Sequence, residues 1–482
     1  MVDLHTITLE LCRFLEVDDH FGSSGPLRIP PLADGALLLN FIVKLNPSCF
    51  WSQFSLSDAR FHGAFVFVKW CIDSGIAPDM VPDAIRIISG QESPRLLQLL
   101  KEMMTSLSRG AHPAHSGPVS EESSECKCLQ CRWRGALVVM CASSHAWSPS
   151  RLPHSVRRLV EDGVPSAARE HAWLVLSGGL NLMRSRKPDY VSLCRKGLSE
   201  SSHLELIDLD ISRTFQEYPD WRRKRFDAIT RRILAAYSVR NRSVGYCQGL
   251  SYIAGLLVTV VSEEVAFVVL AAIVEDGLLP PDYYTTLQGP VIDRRVLESL
   301  IADVLPDLAS ALGDSLEDYS FISIPWNMCL FSTSLPLNVS VRLWDFLFAF
   351  GPCVLFRVGL GLLRELESAL TVGRLPVAGL REKIREIESK TTTDDVALYC
   401  AQFPEVTNER VSELRESFRT NDGGKSQMSV RDGVQESLSS CVSDDCYFGA
   451  QDSQRATQTE RRRRRESKHL ALAGLASFMG HP

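Results

Sequence analysis

The chain has no uninterrupted apolar run long enough to cross a bilayer. The two best candidates fail, because Gly249 to Val274 is broken by Glu263 and Glu264, and Trp344 to Leu363 carries Asp345 and Arg357. Both stretches are expected to be buried core helices. A basic excess is lacking as well: Lys and Arg number 52 against 58 Asp and Glu, a formal net charge of −6. That balance argues against a general nucleic-acid binder, and no nucleic acid is expected among the partners. No secretory signal is expected in the opening stretch, since "MVDLHTITLELCRFLEVDD" places acidic residues where such a signal needs a basic start and an apolar core. This segment is expected to be a helix of the mature protein. Without a signal, the 14 cysteines point to reduced thiols in a cytosolic protein rather than a disulfide scaffold. A working P-loop is also absent. Gly423 to Ser426 reads GGKS, but Arg419 stands where the first glycine belongs and no strand precedes it. No internal repeat is evident.

What remains is an ordinary globular composition, 45% hydrophobic and 23% charged, in 482 residues, enough for two or three domains with sizeable cores. The most informative stretch is Ile207 to Ala254. In "IDLDISRTF", Ile207, Asp210 and Arg213 fall at i, i+3 and i+6, so on a helical reading an apolar anchor, a carboxylate and a guanidinium line one side of the element. The carboxylate can hold and aim the arginine. In "GYCQGLSYIAG", Tyr246 precedes Gln248, which is expected on a close-packed element because Gly249 and Ala254 follow. Arginine plus glutamine is the pair that phosphoryl transfer from GTP uses: one neutralises developing charge, the other orients the attacking water. Either residue alone would read as a surface charge or a core hydrogen bond; together they are a candidate site. Cys247 between them lacks the nearby base a nucleophilic thiolate needs, since no histidine lies between His203 and the C-terminal tail. It reads as a small packing residue.

These motifs resemble the TBC domain of Rab GTPase-activating proteins, with its Ile-x-x-Asp-x-x-Arg and Tyr-x-Gln signatures intact. Upstream, "DGVPSAAREHAW" with Gly163, Pro165, Arg169 and Trp173 resembles the family's opening signature. Downstream, "SIPWNMCLFSTSLPLNVSVRLWDFLFAFG" with Trp326, Phe331, Pro336, Arg342, Trp344 and Asp345 resembles its later helices. The resemblance implies an all-α, multi-helix domain that inserts two fingers into the nucleotide site of a GTP-bound Rab. It makes Arg213 the arginine finger, Gln248 the glutamine finger and Asp210 the residue holding the arginine. Tyr246 then positions Gln248, while Arg169 and Trp173 pack the domain and orient the site. The chain would be an activator acting in trans in vesicle trafficking, with no cofactor of its own; GTP and magnesium would arrive with the GTPase. A non-catalytic Rab-binding scaffold and a cytoskeletal adaptor led by the N-terminal region are the alternatives.

Four segments follow from composition and pattern. Residues 1–108 read as a smaller helical domain. "LADGALLLNFIVKLNP" (Leu32, Asp34, Gly35, Leu38, Leu45, Asn46, Pro47) followed by Phe67, Trp70, Gly75 and Ile76 resembles a calponin-homology domain, which leaves a cytoskeletal partner open. Residues 109–154 have a linker composition. The TBC-like domain takes 155–420, and 421–482 is a disordered tail. Within the linker, Cys126, Cys128 and Cys131, with Cys141, His112, His115 and His145 nearby, make half of a zinc site, lacking a second paired knuckle. In the tail, Arg461 to Arg465 precede a short apolar segment. That run suits peripheral contact with anionic endomembranes, and equally a nuclear-localisation patch or a solvated end.

Overall fold

The computed structural model describes residues 129–142, 152–184, 189–215, 218–275, 278–280, 282–312, 320–370 and 377–421. The expected calponin-homology-like module at 1–108, the GGKS segment and the polybasic run lie outside the described residues. Every regular element among the described residues is an α-helix. The first group is α1 (Leu129–Ala142), α2 (His154–Asp162), α3 (Ser166–Leu176), α4 (Gly179–Arg184), α5 (Tyr190–Glu200) and α6 (Leu204–Ile211). The central group is α7 (Asp220–Arg240), α8 (Leu250–Val260), α9 (Glu263–Glu275), α10 (Tyr283–Thr286), α11 (Gln288–Val304) and α12 (Pro306–Leu312). The last is α13 (Ser320–Met328), α14 (Leu337–Phe350), α15 (Cys353–Leu370), α16 (Val377–Lys390), α17 (Thr393–Gln402) and α18 (Asn408–Asn421).

One boundary differs from the sequence reading. The stretch 109–154 is not a linker throughout, because α1 lies within it and packs on α2 and α3. Trp133, Leu137 and Met140 recur at i, i+4 and i+7 and are buried, and the Trp133 indole donates to the Gly163 carbonyl at 2.7 Å. The neighbouring Ser/Glu run masks that helical period in a compositional reading. Cys131 and Cys141 sit on this helix; the other residues of the half zinc site lie outside the described residues. Among the described residues, no group of His, Cys, Asp or Glu is placed to hold a metal.

The spine is α7, 21 residues long and therefore roughly 30 Å. It runs against α5 so closely that a Cβ at Gly197 would sit 2.3 Å from the Ala235 carbonyl oxygen, a contact only glycine permits. The two apolar stretches become pairs of core helices, and three of the four interrupting charges, Glu263, Asp345 and Arg357, are hydrogen-bonded within the fold. Glu263 accepts from Nε and Nη2 of Arg232, each at 2.8 Å, and from the Tyr190 hydroxyl at 2.8 Å. Arg357 donates to the carbonyls of Val406 and Cys400 at 2.9 and 3.1 Å. No described helix is long and apolar enough to cross a membrane. On the far side, the buried Arg415–Asp293 pair at 2.7 Å ties α18 to α11.

Glu388 on α16 is 6% exposed and accepts from the Trp326 indole of α13 at 2.6 Å. Burial pushes its carboxyl from the ordinary 4.5 up to about 8, the indole hydrogen bond pulling weakly the other way. The folded form therefore binds the proton more tightly than the unfolded form, and stability is lost as pH climbs from about 4.5 to about 8. Glu388→Gln keeps an acceptor for Trp326 and removes the titration. The melting temperature of this variant is expected to fall less than that of the parent between about pH 5.5 and pH 8.5, by on the order of several degrees. Identical pH dependences of the two melting curves would count against a buried, titrating Glu388.

Candidate functional site

Ile207 and Asp210 lie on α6 as the spacing implies, with Ile207 fully buried as the anchor. Arg213 does not continue the helix. Helix α6 ends at Ile211, and Ser212 to Thr214 form a tighter turn in which the Arg213 amide donates to the Asp210 carbonyl at 3.3 Å and Thr214 to Ile211 at 2.9 Å. The Thr214 hydroxyl reinforces the turn by donating to the Asp210 carbonyl at 2.9 Å. Phe215, fully buried, then packs on Phe226 and Tyr218 with ring centroids 5.3 and 6.0 Å apart, which pins the turn to α7.

Gln248 likewise stands off a helix, in the turn that leads into α8. Two glycines shape that turn. Gly245 has φ +61°, and a Cβ there would meet His203 Nε2 at 2.5 Å; Gly249 has φ +104° and lies against Met328 and Cys329. The left-handed backbone at both positions is what glycine supplies, and between them Tyr246, Cys247 and Gln248 fold inward. Cys247 is a buried free thiol that donates weakly to the Gln248 carbonyl at 3.3 Å.

Asp210 joins the two turns. Its carboxylate, 1% exposed, accepts from Arg213 Nη2 through one oxygen and from the Tyr246 hydroxyl at 2.5 Å through the other. The Arg213 side chain stays 31% exposed. Burial opposes its charge, but the hydrogen bond and the charge of Asp210 more than offset this, so its pKa is raised and it remains a cation. Burial and the Asp210 charge raise the Tyr246 phenol well above 10, which keeps it the donor in this bond. Arg213 Nε and Gln248 Nε2 are buried and have no hydrogen-bond acceptor. Such donors each cost about 1–3 kcal/mol when left unpaired. One of them is part of the clamped guanidinium and the other belongs to the turn that Tyr246 ties to the same carboxylate, so both turns hold donor capacity that no acceptor in the described residues takes up.

Arg169 and Trp173 belong to a different cluster. Arg169 donates to Asp345 at 3.1 and 3.3 Å, and the Trp173 indole donates to Asp345 at 2.8 Å. Asp345 is fully buried, and burial raises its pKa despite these donors. The cluster fastens α3 to α14, and none of these bonds reaches Asp210. Sequence reasoning gave Asp345 no role; two donors at i and i+4 on α3 were the available signal, while their acceptor lies 172 and 176 residues away. A cleft lined by Arg294, Glu298, Trp326 and Leu363 contains neither Arg213 nor Gln248.

Comparison with known proteins covers the same region. The Rab-GTPase-TBC domain family model matches residues 166–371, which include Arg213 and Gln248. A putative GTPase-activating protein of Emericella nidulans is 36% identical over 208 residues, 43% of this chain and 18% of that much longer protein. Growth hormone-regulated TBC protein 1 of Homo sapiens is 31% identical over 278 residues, 55% of this chain and 80% of that protein. The crystal structure of a Chlamydomonas flagellar RabGAP TBC domain aligns with 53% of this chain and 88% of its own at 31% identity, with a TM-score of 0.47. With a relative matched over most of its length, a family model spanning both turns and an all-helical body around them, the chain belongs to the TBC-domain Rab GTPase-activating protein family.

Proposed function

We propose that this chain accelerates GTP hydrolysis by a Rab-type GTPase, supplying Arg213 and Gln248 in trans to the nucleotide site of the partner. The observation that carries this reading is the shared clamp. Asp210 holds the arginine on one turn and the tyrosine of the Gln248 turn on the other, so both donors are set by one buried carboxylate. Arg213 is ordered before the partner arrives, and its remaining N–H groups face charge developing on the transferring phosphoryl group. Gln248 orients the attacking water. An arginine used this way is worth roughly 10³ to 10⁵ in rate, or about 4 to 7 kcal/mol of barrier. The chain needs no bound nucleotide or metal of its own in this reading, since both come with the GTPase. Single-turnover hydrolysis across a panel of GTP-loaded Rabs tests it: at least one member is expected to respond, and no response from any would overturn it.

Asp210→Asn probes the clamp. The amide still accepts one hydrogen bond, but the charge that offsets the burial of Arg213 is gone. A charge-assisted bond of about 1.5–3 kcal/mol is weakened, so acceleration of a responsive Rab is expected to fall by about 10- to 100-fold with little change in GTPase binding. Unchanged turnover at saturating Rab would show that Arg213 needs no holding.

A further inference from the structure

Outside the clamp, the outer face of α6 presents apolar side chains to solvent. Among the described residues, large exposed hydrophobic side chains are few, and two of them, Leu206 at 37% and Leu209 at 59% exposure, share this one eight-residue helix. The other side of α6 is accounted for: Ile207, Asp210 and Ile211 are buried, and Asp208 pairs with Arg231 of α7 at 2.6 Å. With 3.6 residues per turn, Leu206 and Leu209 point within about 60° of one another, and the tight turn that carries Arg213 follows directly from this end of α6, with Ser212 still in right-handed helical backbone. At 1.5 Å per residue, Leu209 lies about 3 Å and Leu206 about 8 Å back along the axis from the end of α6 at Ile211, where the turn to Arg213 begins.

We infer that Leu206 and Leu209 form an apolar docking ridge for the GTP-bound GTPase, contacting an apolar patch beside its nucleotide pocket. The inference rests on the proposed function, because it places the same partner on the same face. An arginine acts in trans only where the partner surface comes within a side chain's reach of its backbone. Any body that meets Arg213 along the α6 face therefore covers Leu209 and then Leu206. Their burial happens on binding and is equal in the ground and transition states, so it strengthens association without lowering the chemical barrier. Exposed leucines are ordinary when scattered. Here the pair is continuous with the clamped cation, which selects the GTPase over any other occupant of the face.

The test is a KM-against-kcat split in the full chain with a GTP-loaded Rab that responds to it. Leu206→Ser with Leu209→Ser is expected to raise KM for the Rab by at least about tenfold and leave kcat within about twofold, with an unchanged melting temperature. Leu206→Met with Leu209→Met, which restores apolar area in another shape, is expected to recover most of the lost affinity. An unchanged KM in the serine variant would overturn the docking ridge alone, since the parent would still accelerate hydrolysis. A lower melting temperature of the serine variant without partner would also overturn it, by showing that another part of this chain covers the face. Absence of acceleration by the parent chain would instead remove the proposed function, and the ridge with it.

Discussion

Arg213→Lys is expected to cost at least about 10² in the turnover of a responsive GTP-loaded Rab at saturation. The geometry gives the reason. Arg213 spends one terminal nitrogen on Asp210, its Nε has no acceptor in the described residues, and the side chain stays partly exposed; under the proposed mechanism its remaining N–H groups serve the partner. A lysine carries the same charge on a single nitrogen at the end of a flexible stem. If that ammonium pairs with Asp210 it is withheld from the phosphates, and if it leaves Asp210 it is no longer aimed while the buried carboxylate loses its cation. The loss should fall on kcat, because the arginine contributes chiefly in the transition state. Binding of the GTP-loaded Rab, followed by titration with a non-hydrolysable analogue, should stay within a few fold. A large fall in affinity with kcat preserved would show that Arg213 docks the partner and does no chemistry.

Gln248→Ala is expected to cost about 10², in the range found when one positioned transition-state donor is deleted. It carries a second signature. Gln248 is 7% exposed, and its Nε2 is buried without an acceptor in the free protein. Removing an unpaired buried donor relieves a cost to the fold, so the melting temperature of the variant should stay level or rise while activity collapses. A glutamine serving only to pack α8 would behave in the opposite way, with stability falling and turnover holding. Paired thermal melts and single-turnover rates on the same preparation separate the two.

The residues of the candidate site stand out in the sequence, but their geometry was legible there only in part. Ile207, Asp210, Arg213, Tyr246 and Gln248 stand out because spacing and residue type repeat a known pair of motifs. The periodicity placed Ile207 and Asp210 correctly on a helix and carried Arg213 one step too far along it, since nothing in "DISRTF" announces that the last turn tightens. Gly249 was read as a sign of close packing, whereas its left-handed backbone is what puts Gln248 on a turn. The bond from Tyr246 to Asp210 spans 36 residues and those of Arg169 and Trp173 to Asp345 span more than four times as many. Such pairs depend on how helices stack, and local periodicity carries no information about them. Helix α1 was missed for another reason: its period is weak, with Val139 exposed beside the buried Trp133, Leu137 and Met140, and it was averaged with the polar residues before it. The two membrane-length apolar stretches were resolved correctly, because a charge inside an apolar run needs a partner and Arg232 and Arg169 supply one.

The most direct test compares single-turnover GTP hydrolysis by one responsive Rab with the parent chain, Arg213→Lys, Gln248→Ala and the double variant, each shown to be folded and to bind the GTP-loaded Rab. If both side chains serve one transition state, each single change lowers acceleration by about 10² or more. The double variant then falls no more than about tenfold below the worse single, far short of the product. Acceleration close to that of the parent by folded Arg213→Lys would contradict the mechanism outright.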